Sequence, residues 1–140
     1  MSIRDEFPIL TRSSRGKPLV YLDNGATTQK PESVINAVAS YYRQHNANVH
    51  RAAHELAEEA TALLEDCRDK AQTFVNAAHR EEVIFTRGTT EGINLVAQVI
   101  AERVKPGQDI VISQLEHHSN IVPWQLLAQR TGANIKAIDI

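Results

Sequence analysis

A glycine and two threonines stand where a predicted strand gives way to a predicted helix. Residues 86–94, TRGTTEGIN, follow the apolar EEVIF and lead into LVAQVIAERV. Ligands of open α/β sheets bind beyond the carboxyl ends of the strands, and the first N–H groups of a helix attract anions. Gly88 permits close approach and the hydroxyls of Thr89 and Thr90 add donors, so we predict a phosphate site. The alternative is that one threonine only caps the helix.

A second candidate follows the next predicted strand, where Glu116, His117 and His118 end the stretch IVISQLEHH. If the sheet is parallel, this loop opens on the same edge as the threonine pair. A flat imidazole there could stack on an aromatic ring whose phosphate rests on the helix. The alternatives are a surface pair, a cap for the next helix, or a metal site, since histidine is a common metal ligand.

The remaining polar candidates, two histidines, a glutamate and the cysteine, are weaker indications of a functional site. His50, His54 and Glu58 are four residues apart, so on a helix they would share one face, which resembles metal-ligand spacing. Polar or interface packing is the favoured interpretation of that set. Cys67 falls on a predicted apolar stripe, where a buried, inert thiol is the ordinary outcome.

Composition narrows the class of protein. Of the 140 residues, 42% are hydrophobic and 23% charged, which is ordinary for a soluble globular protein. A net charge of −2 without a long basic run does not suggest a nucleic-acid partner. No apolar run is long enough for a membrane span, and no signal peptide is recognised. The single cysteine fits a reducing compartment, so we expect a cytoplasmic protein.

The elements that would position these residues follow from the apolar periodicity. From residue 81 onward, predicted strands and helices alternate with short links, which indicates a parallel α/β sheet with helices on its faces. The last predicted strand runs to the end of the sequence, so we expect the N-terminal part of a longer protein. Strands are predicted at 19–23, 81–86, 110–113 and 133–140, and helices at 2–7, 31–44, 53–76, up to 104, and 121–130.

Four stretches resemble cysteine desulfurases, in the same order along the chain: YLDNGATTQKP, NVHRAAHELAEEAT, EEVIFTRGTTEGINLVA and SQLEHHSNIVPWQ. Those enzymes belong to the class V, fold-type I group that uses pyridoxal 5′-phosphate (PLP). The third and fourth stretches resemble the group II branch, which is SUF-type and selenocysteine-lyase-like. The resemblance implies an α/β fold, namely an incomplete N-terminal part of the PLP-dependent transferase fold type I. Residues 1–52 would form an N-terminal segment with a substrate loop and helix, and 53–140 the start of the large PLP-binding domain.

The resemblance also implies roles on the cofactor side. Thr89 and Thr90 match the threonine pair that holds the PLP phosphate. His117 matches the histidine that stacks on the pyridine ring and assists proton transfers, which makes it the catalytic candidate. His118 has no such role by analogy, and no metal is implied.

On the substrate side, the resemblance places Asn24, Gly25 and Ala26 in the loop near the amino-acid substrate. His50 matches a histidine at the rim of the active site, close to the dimer interface. The loop of the family usually has alanine where Gly25 stands, which affects little beyond the stiffness of the loop.

As a whole, the resemblance implies conversion of L-cysteine to L-alanine by a homodimer, with persulfide sulfur passed to a SUF-type acceptor protein for iron–sulfur cluster assembly. The Schiff-base lysine, the aspartate that pairs with the pyridine nitrogen, the persulfide cysteine and the substrate-carboxylate arginine lie beyond residue 140 in relatives. We therefore expect the 140-residue chain alone to be inactive. The alternatives are another class V enzyme (an aminotransferase, selenocysteine lyase, epimerase or kynureninase-like enzyme), a non-catalytic α/β binding module, or a histidine-rich metal-binding domain.

Overall fold

The structure, a computed structural model, describes residues 2–51 and 53–139. Its contacts divide the chain into two compact units, Met1–Val83 and Ile84–Ile140. The predicted division at residue 52 refers to the domains of a complete class V fold, and it stays a prediction.

The first unit begins with short elements. A single 3-10 turn, Ile3–Glu6, stands in place of the helix predicted at residues 2–7, and Pro8 begins a second 3-10 turn, Pro8–Thr11. A two-residue antiparallel hairpin follows, formed by β1 (Ser13–Ser14) and β2 (Lys17–Pro18).

The two longer of the three predicted helices of the first unit are confirmed to within a few residues. Helix α1 spans Glu32–Ser40 and continues as a π-helical turn over Tyr41–His45. Helix α2 spans Glu55–Val75. It ends where Asn76 takes the left-handed conformation, with φ of 55°, a common way to satisfy the last carbonyls of a helix.

The apolar stripe of α2 is only partly covered. Ala57 and Ala60 are buried, whereas Phe74 is 91% exposed. Cys67 is exposed as well, so the prediction of a buried thiol is wrong. The stripe has the predicted periodicity, but little of the described chain packs against its C-terminal half.

The second unit is an α/β layer. Strands β3 and β4 pair in parallel, and their register runs in step from the first residue of each strand to the last. Helix α4 is the crossover between them, which confirms the predicted parallel arrangement. The elements in order are α3 (Thr89–Ile100), β3 (Asp109–Ser113), α4 (Val122–Thr131) and β4 (Asn134–Ile138).

The core of the second unit lies where α3 packs on α4. Leu127 is fully buried, and Ala97 and Ala128 are buried beside it in the small core. Gly132 ends α4 in the left-handed conformation, with φ of 74°. None of the described helices combines the length and the apolar character that crossing a bilayer requires.

Two predicted strands, at residues 19–23 and 81–86, belong to neither described sheet. Residues 19–22 do alternate between partly buried and exposed, as extended chain does, and Arg80–Glu82 form a 3-10 turn instead. Alternation selects an extended backbone, but a strand also needs a hydrogen-bonded neighbour. The local sequence carries no information on that neighbour, which is why these two predictions were wrong.

Candidate functional site

Helix α3 starts without a side-chain cap. Gly88 is its N-cap residue, with φ of 143° and ψ of 177°, and no described side chain accepts from the first N–H groups. Thr89 and Thr90 are the first two residues of the helix and do not cap it, which removes the capping alternative. The backbone angles of Gly88 belong to a region that essentially only glycine adopts.

The space around this helix start is open. A Cβ added to Gly88 would meet no atom within 4 Å. The hydroxyls of Thr89 and Thr90 are exposed, and neither is hydrogen-bonded to another residue in the described ranges. Two side chains fix the backbone carbonyls of this segment. Asn94 donates to the Thr90 carbonyl at 2.8 Å, and Thr86 donates to the Gly88 carbonyl at 3.2 Å. Donors without an internal partner and an open approach fit a phosphate group.

One carboxylate lies near this site, and Arg87 binds it. The Arg87 backbone N–H donates to Glu91 Oε2 at 2.6 Å, and its guanidinium Nε lies 3.3 Å from the same oxygen. The backbone N–H, and then the side chain, of Arg87 lower the pKa of Glu91 from its ordinary value. Arg87, the residue before Gly88, therefore binds the Glu91 carboxylate. The first N–H groups of α3 remain available to another anion.

His117 follows β3 and caps a single 3-10 turn, His118–Asn120. The imidazole Nδ1 accepts the backbone N–H of Ser119 at 3.2 Å and lies 2.9 Å from the Ser119 hydroxyl. Because Nδ1 is an acceptor here, the neutral ring carries its proton on Nε2. The ring of His118 stands edge-on to that of His117, with centroids 6.1 Å apart. His117 caps this turn and not α4, whose N-cap residue Ile121 has no side-chain cap, so the alternative of a cap for the next helix is wrong. The Nε2 atom of His117 is left for other contacts.

The phosphate candidate and the histidine candidate belong to the same unit. Helix α3, which begins with Thr89, contacts the turn His118–Asn120 that follows His117. The contact joins α3 as an element to this turn. The expected pair of loops after two adjacent parallel strands is not formed within the described residues, because residues 81–86, which precede α3, are not a strand.

The predicted substrate loop is a turn in the first unit, at residues 24–26. The N–H of Ala26 donates to the Asp23 carbonyl at 3.2 Å, and the Tyr21 hydroxyl donates to the same carbonyl at 3.1 Å. Gly25 does not use a positive φ, and a Cβ there would meet nothing within 4 Å. The turn therefore forms without the left-handed conformation that glycine permits.

His50 is held on α2 by two contacts. Its backbone N–H donates to Thr61 Oγ1, and its Nε2 lies 3.1 Å from Glu65 Oε1. It has the unusual φ of 59° and precedes the helix, so it does not share a helical face with His54. The His54 ring is used to cap α2, and no group of three metal-ligating side chains occurs within residues 2–51 and 53–139.

The sequence reasoning missed one polar set next to His117. Its members are part-buried and hydrogen-bonded to one another, and they link the end of β3 to the first turn of α4. A detectable signal was present, because successive members are three or four residues apart. The set consists of Ser113, Glu116, Asn120 and Trp124.

Comparison with known proteins decides the family. The model of the aminotransferase class-V family matches residues 20–140. The chain belongs to the aminotransferase class-V family. A probable cysteine desulfurase of Streptomyces coelicolor is 56% identical to it over 141 residues, covering 96% of the chain and 34% of the relative.

Solved structures of other proteins share this fold. Cysteine desulfurase from Thermococcus onnurineus NA1 superposes with a TM-score of 0.86 at 37% identity, covering 97% of this chain and 32% of that one. C-DES, solved as a mutant with glycine covalently linked to its PLP cofactor, superposes at 0.78 with 18% identity, covering 100% and 34%. That last match supports the fold alone. The class V chain described here spans about a third of the length of these relatives, and the predicted resemblance to cysteine desulfurases is confirmed.

Proposed function

We propose that this chain is the N-terminal, cofactor-binding part of a PLP-dependent cysteine desulfurase. The complete enzyme would convert L-cysteine to L-alanine. As a cytoplasmic homodimer of the SUF type, it would pass the persulfide sulfur to an acceptor protein for iron–sulfur cluster assembly. The observation that carries the proposal is the uncapped, open start of α3 at Gly88, in a chain 56% identical to a probable cysteine desulfurase.

Three residues would hold the cofactor. The first N–H groups of α3 and the hydroxyls of Thr89 and Thr90 would bind the PLP phosphate, because unpaired helix N–H groups favour an anion. His117 would lie against the ring and hold or move a proton at Nε2, the nitrogen that its bond to Ser119 leaves protonated. PLP itself supplies the electron sink for the reaction.

The first unit would serve the substrate. The amino acid would be bordered by Asn24, Gly25, Ala26 and His50. The turn that begins at Asp23 supports residues 24–26, and contacts to α2 support His50. The Schiff-base lysine and the persulfide cysteine would come from outside these 140 residues, so the chain alone would not release sulfur.

A substitution in α3 tests the phosphate assignment. In the complete protein, Thr90→Val keeps the shape of the side chain and removes its hydroxyl. A hydrogen bond to a charged group contributes about 1.5–3 kcal/mol, so PLP should dissociate roughly 10- to 150-fold more readily. The measurement is PLP retained after desalting and its dissociation constant by absorbance titration.

The matched control is Thr73→Val, in α2. Unlike the Thr90 hydroxyl, the Thr73 hydroxyl bonds within its own helix, to the Asp69 carbonyl at 3.0 Å, and Thr73 belongs to the first unit. We expect this variant to retain PLP like the unaltered protein. Equal retention in Thr90→Val and Thr73→Val would contradict the phosphate assignment, and a protein that binds no PLP would contradict the proposed function.

A further inference from the structure

The loop that carries His117 is cross-linked by side chains. Ser113, the last residue of β3, donates its hydroxyl to Glu116 Oε1 at 2.9 Å. Asn120 Nδ2 donates to Glu116 Oε2 at 2.7 Å, and Trp124 Nε1 donates to Asn120 Oδ1 at 2.8 Å. We call these four residues the Glu116 network; it joins the strand to the following helix on the two sides of His117.

Every polar end of the network has a partner. Both carboxylate oxygens of Glu116 accept, and both ends of the Asn120 amide are engaged. The orientation of this amide is therefore determined by its neighbours, because only the oxygen can accept from Trp124 and only the nitrogen can donate to Glu116. Such a fully paired set in a partly buried position favours one conformation of the loop.

The network also supports the backbone of His117. The Asn120 N–H donates to the His117 carbonyl at 2.7 Å, so Asn120 holds the loop through its main chain as well as its side chain. The imidazole in turn accepts from Ser119, two residues further on. A shift of Asn120 would thus move both the residue before His117 and the turn that its ring caps.

The charge state agrees with this arrangement. The Asn120 amide, and then the Ser113 hydroxyl, lower the pKa of Glu116 from its ordinary value. Its carboxylate is therefore ionised at neutral pH and can accept both bonds. Neutral donors bind it, and no described residue forms a salt bridge with it.

We propose that the Glu116 network positions the His117 imidazole, with Asn120 as its central positioning residue. The residues of the network would act through His117 and would not touch the cofactor themselves. The inference rests on the proposed function, because it concerns the ring-facing histidine of that site. It adds residues for which the sequence predicted no role.

The test compares Asn120→Ala with Gln114→Ala in the complete protein. Gln114 lies in the same loop, but its side chain bonds to Asp139 and not to the network. In the cofactor-free protein, nitrogen NMR of the His117 ring reports which nitrogen carries the proton. We expect a proton on Nε2 in the unaltered protein and in Gln114→Ala, and signals averaged over both nitrogens in Asn120→Ala.

The loaded enzyme supplies the second measurement. Displacement of a group at the reacting centre by about 1 Å can cost 100-fold in rate, so kcat for L-cysteine should fall roughly 10- to 100-fold in Asn120→Ala. KM should stay unchanged, because the network does not contact substrate. In Gln114→Ala both constants should stay unchanged.

A second pair of variants guards against a folding defect. Ser113→Ala removes one donor to Glu116, whereas Ser113→Thr keeps the hydroxyl. If Asn120→Ala fails to fold, the Ser113 pair supplies the test. The network is supported if the His117 signals are averaged in Ser113→Ala and return to those of the unaltered protein in Ser113→Thr. Unchanged His117 signals and kcat in Asn120→Ala, or equal effects in Gln114→Ala, would overturn it. Failure of the unaltered protein to bind PLP would refute the proposed function, and the NMR comparison would still decide whether the network orients His117.

Discussion

Two loops of the second unit each lead into a helix, and they are built in opposite ways. Residues 86–88 lead into α3, and residues 114–121 lead into α4. The first loop ends in Gly88, and the helix start after it has no side-chain cap. The second loop is joined to both of its flanking elements by the side chains of the Glu116 network.

The difference fits what each loop would bind. An anion is held by backbone N–H groups and hydroxyls, which need open space and an unobstructed glycine more than they need a fixed side chain. A histidine that must keep one ring orientation needs a rigid loop instead, in which the polar groups of the loop are all hydrogen-bonded to one another. The following substitutions alter one of these two loops or a control position outside it.

The largest effect is expected at Gly88. In Gly88→Ala, the Cβ meets no neighbour, but φ of 143° with ψ of 177° is a conformation that alanine avoids, at a cost of about 1–3 kcal/mol. The free energy of unfolding should fall by that amount, and retained PLP should decrease with it. Urea unfolding followed by circular dichroism, together with PLP titration, measures both.

Gly92→Ala is the matched control for Gly88→Ala. Gly92 lies inside α3 at an ordinary φ, and a Cβ there would meet Thr86 Oγ1 at 3.7 Å, a normal contact distance. Alanine favours a helix over glycine by about 0.5–1 kcal/mol, so this variant should be more stable. If both variants change stability in the same direction, backbone strain at Gly88 is not what distinguishes the first loop.

The second loop should respond to acid. The folded-state pKa of Glu116 lies below its unfolded value, so its bonds contribute stability above the unfolded pKa and lose it as pH falls through the lowered folded pKa. Fluorine NMR of fluorotryptophan at Trp124, assigned with Trp124→Phe, should show a transition at a pH below the usual range of glutamate.

Glu116→Gln is the control for the acid transition, because its side chain does not titrate. Its fluorotryptophan signal should show no such step over the same pH range. A step that persists in Glu116→Gln would mean that another group titrates near Trp124. The loop would then not depend on the charge of Glu116.

Several features of the structure could be predicted from the sequence alone. The helices α1, α2 and α4 and the parallel pair of β3 and β4 followed from apolar periodicity, and the threonine pair followed from its place after a strand-like stretch. These are properties of neighbouring residues, so a single sequence contains them.

The remaining features depend on tertiary partners. Cys67 lies on an apolar stripe, but its exposure depends on what packs there. Residues 19–23 and 81–86 have the alternation of strands, yet neither described sheet includes them. The role of Asn120 depends on an amide orientation that only its two partners determine. The three- and four-residue spacing of the Glu116 network is visible in the sequence, but spacing alone does not say which groups bind one another.

The smallest effect is expected at Gly25, which separates space from backbone angle. Gly25 and Gly88 are alike in that an added Cβ would meet nothing within 4 Å, but Gly25 does not have a positive φ. Gly25→Ala should therefore raise the free energy of unfolding by about 0.4–1 kcal/mol, because alanine restricts the unfolded chain. The urea midpoint measures this against Gly88→Ala. A loss of stability in both variants would mean that the positive φ is not what makes Gly88 sensitive, whereas a gain at Gly25 with a loss at Gly88 assigns the difference to the backbone conformation that keeps the start of α3 open.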